Sequence, residues 1–305
     1  MSVNLRLQFL FVRVAAGLVR AFPRLPGRWR LIAMLLPWVR HHGHHFGKQV
    51  VRLPHYRAWF ECDMADWLGQ YVFVTGHYEP ASDRILRACV GSGDAVLDIG
   101  ANVGYYSVVL ARLVGPEGRV YAFEPVPALQ EAVRRQRDLN SDLAVTLYPW
   151  AASDEETHVS IFIGPAGHSG LSSLRALSAP SREETVQCRP VDDLLVHLPP
   201  VSFVKLDVEG AEMKALRGMR GLLERDRPVL LLEATDRYLR AFGDTLAEMM
   251  DWLSAEGYTL YRVDETVPAG VEPLRIKNGL PEQFDVLALP GGRVEQIVAA
   301  VAVES

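Results

Sequence analysis

The run Val96-Leu97-Asp98-Ile99-Gly100-Ala101-Asn102-Val103-Gly104 constrains this chain more than any other stretch. An apolar strand ends on a carboxylate and passes at once into a loop of small residues that opens a helix. A second apolar stretch, Arg119 to Phe123, ends on Glu124, twenty residues beyond Gly104. A strand, a small-residue loop, a helix and a second strand tipped by an acid build a nucleotide-sized pocket at the carboxyl edge of a parallel sheet.

The charge at Asp98 discriminates among nucleotide ligands. The helix dipole and the free amides of such a loop favour an anion, and an acid at the strand tip works against a pyrophosphate there. S-adenosylmethionine has no phosphate; it carries a sulfonium and an ammonium, which Asp98 attracts. The Gly-x-Asn-x-Gly spacing also departs from G-x-G-x-x-G, and Asn102 tolerates left-handed backbone where the dinucleotide fingerprint has glycine. Glu124 then accepts hydrogen bonds from the two ribose hydroxyls. An NAD-dependent oxidoreductase is the competing enzyme class; Asp98 and the missing third glycine weigh against it.

The charge is divided unevenly along the 305 residues. Residues 1 to 60 hold ten Lys and Arg and no Asp or Glu, and the 22 basic and 37 acidic residues that remain give the rest a net charge of −15. A basic segment of this kind meets something anionic, a membrane surface or an acidic substrate. Arg6, Arg13 and Arg20 recur every seven positions and lie near one side of a helix, with Leu7, Leu10, Phe11, Val14 and Leu18 around much of the rest. The arginines interrupt the apolar runs, so the segment reads as neither a signal peptide nor a membrane span. A basic amphipathic helix can rest in a membrane interface, or it can pack on its own catalytic domain or a second subunit. Contact with a membrane through residues 1–48 is one expectation; a non-catalytic, membrane-associated binding protein is the alternative from a different class. Cys62, Cys89 and Cys188 form no disulfide or metal spacing, which fits a reducing cytoplasm, with room for peripheral attachment at the inner membrane face. The histidines at 41, 42, 44 and 45 have no Cys or carboxylate nearby in sequence and are read as adventitious ligands only.

Beyond the basic segment, Trp59–Glu61 and Gln70–Val74 read as short strands, and Ser82-Asp83 caps a helix running to about Val90. Strand and helix then alternate: strands at 96–98, 119–123, 145–148, 201–206 and 229–232, helices at 105–114, 127–140, 211–223 and 244–256, and late strands at 258–263 and 284–289. That alternation means a mostly parallel sheet covered on both faces. Residues 153–200 break the rhythm. Val159–Ile163 and Thr185–Cys188 read as added strands around a polar loop, Gly164 to Ser181, of the kind that shapes a substrate pocket.

Asp98-Ile-Gly-Ala-Asn-Val-Gly-Tyr-Tyr-Ser107, Ala122-Phe-Glu-Pro125, Ala151-Ala-Ser-Asp154, Ser172-Ser173-Leu174 and Val204-Lys-Leu-Asp-Val-Glu-Gly-Ala-Glu212 together resemble the FkbM family of methyltransferases. The resemblance covers about residues 60 to 290, with the motifs in order and in register. It implies a class I, Rossmann-like α/β methyltransferase fold for residues 59–305; the basic segment at 1–58, read above as a helical extension, lies outside the likeness. It also implies methyl transfer from S-adenosyl-L-methionine to a hydroxyl, often on a sugar or polyketide-like product. Through it Asp98, Gly100, Asn102 and Gly104 become the methionine-side loop, Glu124 the ribose ligand, and Ala152 and Asp154 the adenine side.

The 203–206 strand delivers Asp207 to the carboxyl edge, beside the pocket, with Glu209 in the following loop. An alcohol acceptor loses a proton on methylation, and a base within hydrogen-bond reach adds ~10²- to 10⁴-fold. Asp207 and Glu209 are candidates to orient and deprotonate the acceptor, and repulsion between them can raise one pKa toward neutrality. Glu233 ends the neighbouring strand and joins the candidate catalytic set. Asp207, Glu233 and Asp236 could instead hold a divalent cation, the less favoured arrangement. Glu212 has a helix-start role, and His168 and Ser172 are candidate substrate contacts in the insertion. The acceptor expected is a small molecule, sugar or glycoconjugate and not nucleic acid. An N-methyltransferase on the same fold is the near alternative.

Overall fold

The computed structural model describes residues 3–22, 25–163, 172–173, 182–264, 271–274 and 282–303. Two helices, α1 (Val3–Ala21) and α2 (Arg28–His42), precede a hairpin of β1 (Lys48–Leu53) and β2 (Ala58–Asp63). Next come α3 (Trp67–Thr75), α4 (Pro80–Cys89), β3 (Ala95–Ile99), α5 (Tyr105–Val114), β4 (Arg119–Phe123), α6 (Pro127–Asp138) and β5 (Val145–Tyr148). The insertion contributes β6 (Ala151–Ala152), β7 (Thr157–Ile163), β8 (Ser172–Ser173) and β9 (Arg182–Arg189). The chain ends with β10 (Val201–Leu206), α7 (Glu212–Gly218), α8 (Arg220–Asp226), β11 (Val229–Thr235), α9 (Asp236–Ala241), α10 (Leu246–Ala255), β12 (Tyr258–Val263), β13 (Val271–Pro273), β14 (Gln283–Pro290) and α11 (Val294–Val303).

The main sheet runs β13-β12-β14-β11-β10-β3-β4-β5, parallel from β11 to β5 and antiparallel beyond β11. Its central strands are continuous apolar runs because helices bury both faces; every residue of β3 is buried. The strand order reverses between β3 and β10, and a crevice opens at their carboxyl ends, the place where α/β sheets bind ligands. The insertion folds as a separate sheet, β6-β9-β7-β8.

Two local expectations are corrected. Gln70–Val74 lies in α3, not in a strand. The Asp66 carboxylate accepts from the amides of Leu68 and Gly69 at the helix start, and left-handed Gly76 ends it. The helix is nearly apolar all round because it is buried, so no alternation distinguishes it from a strand. The helix expected over 211–223 is two, α7 and α8, parted at Met219, whose φ of −119° leaves the helical range; beside it, a Cβ on Gly218 would lie 1.7 Å from the carbonyl oxygen of Ser153. The chain turns there, where α7 meets the start of the insertion.

The basic N-terminal helices pack on the rest of the chain. Val12, Ala15, Ala16 and Val19 of α1 join Leu35 and Val39 of α2, Phe73 of α3 and Phe60 of β2 in one apolar cluster that continues to Val96 and Val108. No helix among the described residues is long and apolar enough to cross a membrane.

Candidate active site

A cavity of 340 Å³ sits at the carboxyl ends of β3, β4, β10 and β11, within the size range of small-ligand sites. The loop after β3 forms its floor. Amides of Gly100 and Ala101 both donate to the Phe123 carbonyl, 3.0 and 2.9 Å, and the Asp207 amide donates to the Ile99 carbonyl at 3.0 Å. Gly100 has φ +86°, and a Cβ there would fall 1.8 Å from the Asp207 carbonyl oxygen. Glycine is required because two strand ends converge on one point. Asn102 adopts φ +51°, and its amide donates to Glu124 Oε2 at 2.8 Å. Glu124 Oε1 accepts from the Val126 amide at 2.9 Å. Burial pushes the Glu124 carboxyl up to about 8, against the pull of those two amides. Asn102 Oδ1 is buried in the wall with no partner.

Three acids meet on the opposite side. Asp207, Glu209 and Glu233 each place a carboxylate oxygen within 4.8 Å of the others, and all three line the cavity. Burial opposes ionisation of Asp207, but the Lys205 ammonium, 3.0 Å from Oδ2, wins and holds the carboxyl below its ordinary range. Lys205 is itself buried, and Asp207, Glu79 and Asp285 keep it protonated against the cost of burial. Burial and the Asp207 charge push Glu233 far up, so it carries the proton of the pair; Gln283 Nε2 donates to its Oε1 at 2.6 Å. Glu209, held at φ +53° in the loop, is pushed up to about 8 by burial and by its neighbours Asp207 and Glu212. The trio thus contains one ionised acid, one protonated acid and one poised near neutrality.

A cation already stands beside the three carboxylates: the Lys205 ammonium, 3.0 Å from Asp207 Oδ2. Asp236, the third ligand weighed from sequence, accepts instead from the Leu246 amide at 2.9 Å and from Arg240 at 2.6 Å. Among the described residues, Asp207, Glu209 and Glu233 are the one group with ligand atoms close enough for a metal; the histidines at 41–45 are not such a group.

The remaining wall is aromatic and was not read from sequence. Trp67, Tyr78, Tyr106 and Tyr238 line the cavity with Glu79. The Tyr106 hydroxyl donates to Glu79, and the Lys205 ammonium lies 4.7 Å from the centre of the Tyr106 ring. Glu79 holds a left-handed conformation, φ +42°, immediately before Pro80, where such backbone costs of order 1–3 kcal/mol. The Glu-Pro pair was the available sequence signal; nothing in linear spacing placed it opposite Asp207.

Several candidates stand elsewhere. Asp98 is buried behind the loop and does not reach the cavity wall: its Oδ2 accepts from Ser107 Oγ at 2.6 Å. The carboxylate faces α5 through Ser107, and its backbone opposes that of Lys205 in register. Gly104 is also off the wall. It starts α5 at φ +85°, with Val133 of α6 so close that a Cβ would lie 3.2 Å from its Cα. Ala152 lines the cavity, whereas Asp154 turns to Lys214, 3.7 Å away, since α7 presents a cation there. Trp150 packs edge-on against Phe123, 4.9 Å between ring centres, and belongs to the core. Ser172 pairs with Ile163 in the insertion sheet; its side chain and all of His168 lie outside the described residues. Glu212 Oε1 accepts from the amides of Gly210 and Val208, closing the loop that carries Glu209.

Residues 98–260, just over half of the chain, match the Methyltransferase FkbM domain. A protein-L-isoaspartate O-methyltransferase of Ignicoccus hospitalis is 50% identical over 44 residues, covering 14% of this chain and 21% of that protein. Methyltransferase 1 of Beauveria bassiana is 26% identical over 144 residues, 41% of this chain and 57% of that protein. The chain therefore spans only part of the length of the curated relatives it matches. A crystal structure of methyltransferase FkbM from Methylobacillus flagellatus is similar with a TM-score of 0.43 and 18% identity, over 72% of this chain and 52% of that one. The chain belongs to the FkbM family of methyltransferases.

Proposed function

We propose that this chain methylates a hydroxyl of a small hydroxylated acceptor, a sugar or glycoconjugate, with Glu209 as the base. The observation that carries the reading is the split of the acid trio: Asp207 ionised on Lys205, Glu233 protonated, and Glu209 raised to about 8. A base works best when its pKa lies near the operating pH, and removing a proton from an alcohol is what O-methylation needs.

The residues present fit S-adenosylmethionine. Glu124 retains lone pairs on both oxygens for the ribose hydroxyls after accepting its two amides. The unpartnered Oδ1 of Asn102 is an acceptor awaiting a donor such as the methionine ammonium. Ala152, Val126 and Ile161 give an apolar seat for the adenine. When bound, the cofactor supplies an electrophilic methyl group on a cationic sulfur. Around it, the Asp207 carboxylate, paired with Lys205, accepts a hydrogen bond from a second hydroxyl of the acceptor and so orients the molecule. Protonated Glu233 donates to another acceptor oxygen, and Glu209 accepts from the hydroxyl to be methylated and takes its proton. The aromatic faces of Trp67, Tyr78 and Tyr106 offer flat apolar contact with polar tips, which suits a ring bearing hydroxyls.

Calorimetry separates this reading from an oxidoreductase: S-adenosylmethionine binds and NAD does not. Glu124→Ala is expected to weaken cofactor binding by roughly 10- to 100-fold, the loss of two hydrogen bonds of about 0.5–1.5 kcal/mol each. Asp207→Asn leaves binding nearly unchanged while methyl transfer from labelled cofactor into a cell extract disappears. Micromolar NAD binding without cofactor binding would overturn the assignment, and labelling confined to amine nitrogens would replace it with N-methylation.

A further inference from the structure

On α1 a ridge of Leu7, Leu10, Phe11, Val14 and Leu18 faces solvent, each at least 46% exposed. The helix buries only the opposite side, Val12, Ala15, Ala16 and Val19. Between ridge and buried side runs the flank that carries Arg6, Arg13 and Arg20, because residues seven apart return to the same side of a helix. A second cavity, of 530 Å³, lies along this flank, between α1 and the outer face of the β1–β2 hairpin. Arg13 and Arg20 line it from the helix, and Arg52 and Arg57 from the hairpin, with Trp59 beside them. No carboxylate lines it, and among the described residues none of these four arginines has an acidic partner. The acid nearest in the hairpin, Glu61, is taken by Lys48 and Arg135, both 2.9 Å away.

Arg20 donates to the Phe73 carbonyl and lies over the Phe73 ring, which leaves Arg13, Arg52 and Arg57 lining one cavity without a counter-ion; planar forks of this kind match phosphate. The apolar ridge beside them calls for burial. One partner satisfies both at once: a bilayer surface with anionic phosphodiester headgroups, into which an acid-free amphipathic helix lays its apolar side. We propose that α1 docks on an anionic membrane, its ridge among the acyl chains and a lipid headgroup phosphate in the arginine-lined cavity. Charge complementarity selects this occupant, since the first 60 residues carry ten positive side chains and no negative one. Helix α3 packs on both α1 and α2 and also supplies Trp67 and Leu68 to the catalytic cavity, so the docking surface and that cavity share one element.

Flotation of the full chain with vesicles tests this. The protein is expected to bind equimolar phosphatidylcholine–phosphatidylglycerol vesicles, to ignore pure phosphatidylcholine, and to release as salt rises. Arg6→Gln with Arg30→Gln removes two charges outside the cavity and lowers binding roughly 30-fold, the field effect of two surface cations. Arg13→Gln with Arg52→Gln removes the same charge inside it and lowers binding on the order of tenfold further, as charge-assisted bonds to phosphate go. Leu10→Ser with Val14→Ser lowers binding on the order of 100-fold, with helix content by circular dichroism unchanged because both side chains are exposed. Equal losses from the two arginine pairs would overturn the headgroup site. Failure to bind anionic vesicles, or equal binding to neutral ones, would overturn the docking. So would a dimer by light scattering that Leu10→Ser/Val14→Ser dissolves, and so would release by inorganic phosphate beyond that by chloride of equal ionic strength, which marks a soluble ligand.

Discussion

Glu209→Gln is expected to lower kcat on the order of 10²- to 10⁴-fold, the loss of a positioned base, while cofactor affinity changes little. The substitution keeps the volume of the side chain and the left-handed backbone at φ +53°; only the ability to take a proton is removed. The pH profile makes the test specific. A base acts when deprotonated, so kcat/KM of the wild type rises with pH through about 8, the value to which burial and then Asp207 and Glu212 push this carboxyl, and levels above it. In the variant that limb is absent. A limb that persists unchanged would remove Glu209 from its role.

Stability moves the other way, which separates chemistry from unfolding. A carboxyl whose folded-state pKa is raised contributes stability that is complete below its ordinary value near 4.5 and is lost as pH rises through about 8. At pH 9 the wild type bears that loss in full and Glu209→Gln does not. The variant is expected to melt at or above the wild-type temperature there, though it turns over far more slowly. A lower melting temperature at pH 9 would assign the lost activity to damage in the loop.

Gly100→Ala is expected to cost about 2–6 kcal/mol and to abolish cofactor binding. Left-handed backbone at φ +86° is strained for alanine by ~1–3 kcal/mol. The added methyl also falls 1.8 Å from the Asp207 carbonyl oxygen, an overlap worth ~1–3 kcal/mol where the neighbour can move. Here it cannot move freely. The Asp207 amide is tied to Ile99, and the Gly100 amide to Phe123. The overlap is relieved only by parting β3 from β10, which opens the floor of the site. Thermal melting and cofactor titration measure the two effects. Gly17→Ala is the matched control: it sits within α1, where a Cβ meets nothing nearer than Arg20 at 4.0 Å. It is expected to stabilise by up to about 1 kcal/mol. Equal melting temperatures for the two variants would mean that the convergence at Gly100 is loose.

Much of this arrangement was legible in the order of residues. Apolar runs ending on Asp98, Glu124, Asp207 and Glu233 marked the carboxyl edge, since a parallel sheet buried on both faces needs continuous apolar strands and leaves its polar residues at their ends. Gly100 stood out because small residues between strand and helix mark a backbone that must pass close to something. The strand misread at Gln70–Val74 shows the limit of periodicity. A short helix buried on nearly every side has no polar stripe, and its cap, Asp66, had to be seen making its bonds.

Direction and protonation depended on the tertiary structure. Asp98 reads as a ligand in linear order, yet the close approach of Ser107 turns it inward. Lys205 looks like an interruption of an apolar strand; folded, it is the buried cation that keeps Asp207 ionised and leaves Glu233 holding a proton. Trp67, Tyr78 and Glu79 come from a segment before the first core strand, and Tyr106 and Tyr238 from α5 and α9, so packing alone brings this wall together with Asp207. The sheet, its ligand-binding edge and the acids along it follow from the order of residues, because local backbone geometry and apolar periodicity act over a few residues. Which acid ionises, which faces the cavity and which ring lies opposite follow from burial and from charges many residues apart in sequence, which the folded chain alone brings together.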